Sequence, residues 1–278
     1  MTSPRKLLAA RKLMAKKGRG QHFLMDPGVV RAILDRAGLN PEIPVLEIGP
    51  GLGALTRPLL EKGFHVVAVE VDQGLVRFLE DEVRPLAPER LTIIFGDILK
   101  LDLGDVAAKF GGPLLVLGNL PYQISSPLLF KLLEFRSAVT QAVLMFQREV
   151  ADRLTAKPGG RNYGRLSVIY AYFAQVVRLL DVGPDVFYPR PKVGSTMLKI
   201  TFKSLTEPPL HSEHLFSRVV KAGFAQRRKT LRNALLSAFE PEKVEAALKL
   251  AEIEPGRRAE TLSPFEFAAL ANAMSALA

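Results

Sequence analysis

Short apolar runs alternate with helix-like patterns over the first part of the chain. Runs typical of buried strands occur at residues 43–48, 65–70, 91–95, 114–118 and 142–146. Amphipathic patterns with helical spacing occur at residues 27–38, 54–62, 73–84 and 126–135. Continuous apolar strands separated by helices indicate a mostly parallel sheet that helices cover on both faces. The predicted fold class is therefore α/β.

The pattern changes toward the C-terminus. A helix is predicted at residues 163–174 and strands at 175–182 and 195–202, and the proline-containing stretch 204–213 indicates a linker. Every later periodic segment is helical, at residues 213–225, 228–239, 241–250 and 264–276. We predict a basic arm over residues 1–19, an α/β domain over 20–205 and a small all-helical domain over 206–278.

Composition excludes several classes of function. The chain contains no cysteine, which excludes disulfide bonds, thiolate metal ligands and a cysteine nucleophile. No apolar run approaches the length of a membrane span, and the N-terminus lacks the apolar core of a signal peptide. The four histidines are scattered, which predicts no metal site. We expect a soluble cytoplasmic protein with no membrane partner.

The basic residues of the chain are concentrated near its two ends. The net charge is +10, and two clusters without any acid account for the excess. Their members are Arg5, Lys6, Arg11, Lys12, Lys16, Lys17 and Arg19, and then Arg218, Lys221, Arg227, Arg228, Lys229 and Arg232. Either cluster alone is typical of a solvated surface, and the first is expected to be a mobile arm that can become helical. Together they favour a nucleic acid partner.

A glycine-rich turn follows the first predicted strand and opens a helix. Gly49, Gly51 and Gly53 have the spacing GxGxG, which does not match the dinucleotide-binding fingerprint. S-adenosylmethionine carries no pyrophosphate, so the spacing suits it better than a nicotinamide cofactor. Many turns of this kind are only tight connections between a strand and a helix.

Two acids end the next two strands. Glu70 ends the second strand, where an acid commonly accepts hydrogen bonds from ribose hydroxyls, and Asp97 ends the third. Capping of a turn explains Asp97 equally well when it is taken alone. Because the carboxyl ends of parallel strands meet at one edge, the acids and the glycine turn together indicate a nucleoside-containing cofactor.

The fourth strand ends in Asn119, Leu120, Pro121 and Tyr122. The Asn119 side-chain carbonyl and the backbone carbonyl of Leu120 or Pro121 can accept the two hydrogens of an adenine amine. Such bonds direct the nitrogen lone pair at a methyl group, and Tyr122 offers a face on which an extruded base can stack. A proline turn with a packed aromatic ring is the structural alternative.

The chain resembles the KsgA-type ribosomal RNA adenine dimethyltransferases over essentially its whole length. The segments that carry the resemblance are residues 20–24, 47–53, 96–98, 119–122, 147–151, 187–193 and 224–231. The resemblance implies a Rossmann-like seven-stranded methyltransferase sheet with an antiparallel last hairpin, S-adenosyl-L-methionine as cofactor and a helical domain that binds RNA. The implied substrate is a pair of adjacent adenosines in the 3′-terminal hairpin of small-subunit ribosomal RNA, within the assembling subunit.

The resemblance also implies site residues. From it, cofactor contacts are expected at His22, Leu24, Gly49, Glu70, Asp97 and Asn119. The glycine turn and the end of the third strand add Gly51, Gly53 and Ile98 to the expected cofactor site. His22 stands where asparagine is also common in the family. Phe187 is expected either to flank the target base opposite Tyr122 or to pack in the core.

RNA contact is expected at Arg227, Arg228, Lys229 and Arg232. Pairing of these residues with nearby acids such as Glu240 and Glu242 is the alternative. Two other functions remain open: an erythromycin-resistance-type methyltransferase of large-subunit RNA, and a non-catalytic RNA-binding assembly factor that keeps the fold.

Overall fold

The computed structural model describes residues 4–16, 18, 20–226 and 228–277. The chain forms two compact units. The first comprises Met1–Ala151 and Val177–Phe202, and the second comprises Asp152–Val176 and Lys203–Ala278.

One large sheet organises the first unit. The strands of the described chain are β1 (Phe23–Leu24), β2 (Val45–Ile48), β3 (Val66–Glu70), β4 (Leu91–Phe95), β5 (Leu114–Asn119), β6 (Val139–Gln147), β7 (Ala174–Val182), β8 (Phe187–Tyr188) and β9 (Ser195–Phe202). Seven of them form a sheet in the order β4-β3-β2-β5-β6-β9-β7, and β1 pairs with β8 in a separate antiparallel ladder. Strands β4 to β6 in this order are parallel, and β9 runs antiparallel to β6.

Both units contain helices, and side-chain caps set where several of them begin. The helices are α1 (Pro4–Ala10), α2 (Pro27–Ala37), α3 (Thr56–Glu61), α4 (Gln73–Glu82), α5 (Leu103–Lys109), α6 (Ser125–Glu134), α7 (Arg148–Leu154), α8 (Arg165–Phe173), α9 (Glu213–Gly223), α10 (Leu231–Leu235), α11 (Pro241–Leu250) and α12 (Pro264–Ala276). Asp26, Asp72 and Asp102 accept hydrogen bonds from the first N–H groups of α2, α4 and α5. The predicted α/β architecture and its seven-stranded sheet are confirmed, and β9 provides an antiparallel pairing at the end where the hairpin was expected.

The central strands β2, β3 and β5 bring their carboxyl ends to one edge of the sheet. Every residue of β2 and β3 is buried, as a parallel strand covered on both faces must be. At Gly118, a Cβ would lie 2.8 Å from the backbone oxygen of Ile48 on the neighbouring strand. Only glycine lets β5 approach β2 this closely, and the next residue is Asn119.

Part of the N-terminal arm is helical and packs against the first unit. Residues 4–10 form helix α1, and Leu8 is only 4% exposed within the hydrophobic core of that unit. The helix agrees with the expectation that the arm can become helical, and the mobility of the arm stays a prediction. The packing of Leu8 was not predicted, because the prediction for this segment rested on its basic residues and not on the leucines between them.

The second unit begins earlier in the chain than predicted. Helix α8 had been placed in the α/β domain, but its aromatic residues pack against α9. The Phe216 ring lies 4.9 Å from the Tyr172 ring and 6.0 Å from the Phe173 ring, measured between centroids. The Tyr163 hydroxyl donates to the Leu262 backbone oxygen at 2.8 Å. These contacts join residues that are distant in sequence. A boundary predicted from the linker alone, at 205/206, could not take them into account.

Other differences are local. The short helices α5 and α7 and the β1–β8 pair were not predicted, since each contains too few residues for a clear periodic signal. The predicted helix over 228–239 is shorter, because Thr230 caps α10 and leaves the preceding basic residues outside it. Within the described part of the chain, no helix is long and apolar enough to cross a membrane.

Candidate active site

A cavity opens at the carboxyl edge of the sheet in the first unit. Its volume is about 340 Å³, and its wall comes from the loops after β2, β3, β4 and β5 together with residues 20–24. The predicted site residues in this wall are His22, Leu24, Gly49, Gly51, Glu70, Asp97, Ile98, Asn119 and Pro121. Four other predicted residues, Gly53, Leu120, Tyr122 and Phe187, do not line it.

The glycine turn after β2 forms the floor of the cavity. Gly49, Gly51 and Gly53 have φ angles of 64°, 58° and 76°, which side chains disfavour. The ring of Phe23 lies 3.1 Å from the place that a Cβ at Gly51 would take, so this glycine also allows the Phe23 ring to pack closely against the turn. At Gly53 a Cβ would also meet Val83 at 3.1 Å, so packing adds to the conformational reason for that glycine.

Glu70 is held in one orientation by the backbone. Its side chain accepts hydrogen bonds from the N–H groups of Val71 and Asp72, both at 2.9 Å, and from Gly51 at 3.4 Å. Burial raises the pKa of Glu70, and these hydrogen bonds offset part of the rise. The carboxylate therefore links the end of β3 to the glycine turn.

Glu47 was not among the predicted site residues, although it lies within the motif 47–53. It is 1% exposed, lines the cavity, and burial raises its pKa to about 7. The nearby Thr56 hydroxyl lowers the pKa of Glu47 in part, and the charge of Glu70 raises it further. Its Oε2 and the Thr56 hydroxyl accept no hydrogen bond from any described residue. An acid ending a buried strand just before a glycine turn was the available sequence signal.

Asp97 caps the turn after β4 and also lines the cavity. Its Oδ1 accepts a hydrogen bond from the Leu99 N–H at 2.9 Å, which stabilises the turn after β4. The residue also lines the cavity beside buried Ile98. The second carboxylate oxygen is thus the one that Asp97 can offer to a ligand.

Asn119 is oriented by the N-terminal part of the cavity wall. Its amide nitrogen donates to the His22 backbone oxygen at 2.9 Å, which leaves the amide oxygen as its acceptor. The His22 ring bonds through Nδ1 to the Pro189 oxygen at 2.6 Å and lies 5.8 Å from the Tyr122 ring. The Tyr122 hydroxyl is in turn 2.8 Å from the Ser195 hydroxyl. These bonds hold the turn after β5 in place.

Phe187 packs in the core and does not flank the cavity. It is 2% exposed, belongs to the hydrophobic core, and pairs with Leu24 in the β1–β8 ladder. This burial is what the packing alternative expects, and a role of the Phe187 ring beside a target base stays a prediction.

The predicted RNA contacts lie in the second unit and differ in their surroundings. Arg228 and Lys229 are exposed, and neither side chain forms an ion pair in the part of the chain that the structure describes. Arg232 forms an ion pair with Glu245, so the pairing alternative applies to it, with a different acid from those expected. Arg227 lies outside the described residues.

Among the described residues, no group of three or more histidine, aspartate or glutamate side chains is placed to hold a metal ion.

Relatives cover nearly the entire chain. The model of the family described as ribosomal RNA adenine dimethylase matches residues 13–275. A Desulforapulum autotrophicum protein named ribosomal RNA small subunit methyltransferase A is 43% identical over 277 residues, covering 99% of this chain and 97% of its own. A protein of the same name from Thiobacillus denitrificans is 46% identical over 255 residues, covering 92% of this chain and 96% of its own.

Two solved structures share the fold. The crystal structure of a dimethyladenosine transferase from Plasmodium falciparum has a TM-score of 0.76 and 28% identity, covering 90% of this chain and 96% of that one. The crystal structure of the 23S rRNA methyltransferase ErmE has a TM-score of 0.70 and 25% identity, covering 91% of this chain and 99% of that one. The family match and the similarity of the relatives over nearly their full length lead to one conclusion: the chain belongs to the ribosomal RNA adenine dimethylase family.

Proposed function

We propose that this protein transfers methyl groups from S-adenosyl-L-methionine to the exocyclic amine of two adjacent adenosines in the 3′-terminal hairpin of small-subunit ribosomal RNA. The observation that carries the proposal is the fixed Asn119 amide at the cavity wall, whose nitrogen is bound by the His22 oxygen. The names of the relatives, which specify the small subunit, support the choice of substrate over large-subunit RNA.

The cavity fits S-adenosyl-L-methionine in its charge and its polar groups. The oxygen of Glu47 that lacks a hydrogen bond within the described chain is an acceptor for the ammonium group of the methionine part. Glu70 is placed to accept hydrogen bonds from ribose hydroxyls, and Asp97 and Ile98 provide a polar and an apolar contact for the base. When bound, the cofactor supplies a methyl group activated by its positive sulfur.

The protein positions the amine of the target adenine with two acceptors. One is Asn119 Oδ1, and the other is the backbone oxygen of Leu120. The Pro121 oxygen already accepts the Ile124 N–H at 3.1 Å within the turn, which makes it the weaker candidate. Two acceptors hold both amine hydrogens and direct the nitrogen lone pair away from the ring, so catalysis rests on orientation.

Proton removal needs no dedicated base in this scheme, because the methylated ammonium is acidic and loses its proton to solvent. Tyr122 supports the target base by stacking, with its ring orientation held by the Ser195 hydroxyl. His22 connects Asn119 with Tyr122, since its backbone oxygen accepts a hydrogen bond from the Asn119 amide and its ring lies beside the Tyr122 ring.

The second unit is proposed to bind RNA in the assembling small subunit, in the cytoplasm. Arg228 and Lys229 are its exposed basic residues just before α10. Phosphate contacts of this kind position a substrate without reading its bases.

The proposal is tested with radiolabelled S-adenosyl-L-methionine and ribosomal subunits from a strain lacking the modification. We expect label in small subunits only, recovered as dimethyladenosine after nucleoside digestion, and almost none with Asn119→Ala. Label in large subunits would instead identify an erythromycin-resistance-type enzyme. Tight binding of small subunits without any transfer would identify an assembly factor.

A further inference from the structure

Two segments that carry the family resemblance meet at one place in the first unit. Residues 147–151 begin at the last residue of β6, and residues 187–193 come before the start of β9. These two strands are antiparallel, and Gln147 pairs with Ser195. The segments therefore lie side by side where β6 ends and β9 begins.

This place is at the carboxyl edge of the sheet, next to the turn after β5. Strand β5 is the parallel neighbour of β6, and Asn119 pairs with Met145, two residues before β6 ends. The sheet order places β2, β3 and β4 on one side of β5 and places β6 and β9 on the other. Since the loops after β2, β3 and β4 form the cofactor side of the cavity, the ends of β6 and β9 lie on the opposite side of Asn119.

The loop between β8 and β9, residues 189–194, is tied to the candidate site at both ends. At its start, the Pro189 oxygen lies 2.6 Å from Nδ1 of the His22 ring. At its end, the hydroxyl of Ser195, the first residue of β9, lies 2.8 Å from the Tyr122 hydroxyl. Ser195 is fully buried, which fixes this end of the loop. The exposed residues of the loop are therefore held close to the residues proposed to receive the target base.

Two exposed cations lie at this loop. Lys192 belongs to it and lies three residues before Ser195, a backbone distance of at most about 11 Å. Arg148 begins α7, and its N–H donates to the Gly194 oxygen at 3.1 Å. A Cβ at Gly194 would lie 3.3 Å from Arg148 Nη2, so the guanidinium group itself lies against the loop. Both residues are exposed, and neither side chain forms an ion pair within the described part of the chain.

Positive charge beside the site helps to hold an extruded adenosine. Extrusion rotates the nucleotide out of the base stack and brings its flanking phosphates toward the protein surface. Contacts to these phosphates position the RNA without reading its sequence. The guanidinium group of Arg148 presents a planar set of donors that matches phosphate oxygens, and the ammonium group of Lys192 adds a point charge. Arg190, in the same loop, is less available, because it forms an ion pair with Asp185 at 3.1 Å.

We propose that Arg148 and Lys192 bind the RNA backbone next to the extruded adenosine, as phosphate contacts that belong to the first unit. The inference rests on the proposed function, in which Asn119 and Tyr122 receive the target base. It gives the first unit an RNA contact of its own, in addition to the one proposed for the second unit.

The first test replaces both cations, as Arg148→Met with Lys192→Met, since methionine keeps an unbranched stem and removes the charge. We expect the KM for small subunits to rise roughly tenfold, and the log–log salt slope of subunit binding to become less steep by roughly 0.7 per lost contact, the value for single strands. The kcat at saturating subunits and the Kd for S-adenosyl-L-methionine stay near wild type, because neither residue lines the cofactor cavity. Arg148→Lys keeps the charge and should keep the slope.

Lys109→Met is the matched control for Lys192→Met. Lys109 is exposed and ends α5, which comes before β5 begins, so it lies toward the opposite edge of the sheet from the turn after β5. Its replacement removes the same charge from the same unit. It should change neither the KM for small subunits nor the salt slope.

A second test locates the contact, and the absence of cysteine from the chain makes it direct. Val193→Cys introduces a single thiol at a position of the loop that is 46% exposed, and it leaves both cations in place. The thiol is labelled with an iron chelate that cleaves nearby RNA backbone, and the labelled protein is bound to small subunits. We expect cleavage at the nucleotides beside the two target adenosines. Labelled Lys109→Cys should give no cleavage there.

The assignment fails if the double variant has the KM and salt slope of wild type, or if Lys109→Met raises the KM as much as Lys192→Met does. It also fails if the Val193→Cys chelate cleaves only RNA distant from the target adenosines. If the double variant binds S-adenosyl-L-methionine more weakly, the substitutions have disturbed the fold, and the cleavage pattern of Val193→Cys decides. Failure of the wild-type chain to methylate small subunits would overturn the proposed function as well. Normal methylation by wild type and by the double variant overturns only the role of the two cations.

Discussion

The cavity edge of the first unit and the basic segment of the second unit hold their functional groups in opposite ways. At the cavity edge, which comprises residues 47–53, 70, 97 and 119, side chains have several fixed partners and low exposure. In the basic segment, residues 228–232, Arg228 and Lys229 extend from an exposed turn before α10. Arg232, in the same segment, forms an ion pair with Glu245.

The difference predicts how each region responds to mutation. A buried group with directional partners contributes strongly, and its loss leaves other polar atoms unsatisfied. An exposed cation contributes through long-range attraction that salt screens and neighbours partly replace. The cavity edge should therefore show large effects of single residues, and the basic segment small effects that depend on ionic strength.

The largest effect is expected at Asn119. Asn119→Ala removes an acceptor that orients the amine, and turnover should fall roughly 100-fold or more, as for loss of a preorganised polar group in other active sites. Single-turnover methyl transfer with saturating small subunits measures it. Asn40→Ala is the control, because exposed Asn40 only caps a turn through the Glu42 N–H at 3.1 Å. Turnover near wild type in Asn119→Ala would remove the amine-holding role.

Glu47 should give a pH-dependent effect on stability. Its pKa is about 7 in the folded protein against an ordinary 4.5, so the neutral acid stabilises the fold below pH 4.5. That contribution is lost as the pH rises to about 7. Glu47→Gln does not titrate, and at pH 8 its free energy of unfolding should exceed that of wild type by about 3 kcal/mol.

Urea denaturation between pH 4.5 and 8 checks this difference, with exposed Glu89→Gln as a control that should change little. Glu47→Gln should also bind S-adenosyl-L-methionine more weakly, because it loses the negative partner of the ammonium group. A stability difference that is constant across the pH range would contradict a buried, titrating Glu47.

Glu70→Ala should weaken cofactor binding while the fold persists. Hydrogen bonds to a charged acceptor are worth about 1.5–3 kcal/mol, so the Kd for S-adenosyl-L-methionine should rise by one to two orders of magnitude. Calorimetry measures the change. The control is Glu80→Ala on the exposed side of α4, where the Arg84 pair at 2.7 Å contributes little. Equal affinities of Glu70→Ala and wild type would remove Glu70 from the site.

The smallest effects are expected in the basic segment. Replacing Arg228 and Lys229 with Ala should weaken binding of small subunits and reduce the log–log salt slope by roughly 0.7 to 0.9 per lost contact. Arg232→Ala should change the slope less, because Glu245 already neutralises that cation. Titrations at several salt concentrations compare the variants. A slope that stays the same in the double variant would mean that the segment is only a solvated surface.

Much of the fold was predictable from the sequence because the strands of a parallel sheet are continuously apolar. The runs at 43–48, 65–70 and 91–95 each contain the strand that the structure shows. The family resemblance is confirmed by relatives that match nearly the whole chain. Short elements such as α5 and β8 escaped prediction because they contain too few residues for the pattern to repeat clearly.

The candidate site was predictable where residues share a strand end. Glu70 and Asn119 end β3 and β5, Asp97 lies two residues after the end of β4, and all three line one cavity. The burial of Glu47 and Phe187 was not predictable, because burial depends on neighbours from other elements. The Phe187 position is set by its pairing with Leu24, far away in the sequence.

The sequence by itself determined the fold class, the family and the residues that meet at the sheet edge, because strand periodicity and short motifs are local properties. Only the tertiary structure decided which of these groups are paired. It showed the Asn119 amide bound to the His22 oxygen, Lys16 paired with Asp72, and Arg232 neutralised by Glu245. The reason is physical: hydrogen bonds, ion pairs and burial depend on distances between residues that folding brings together, and no local pattern encodes those distances.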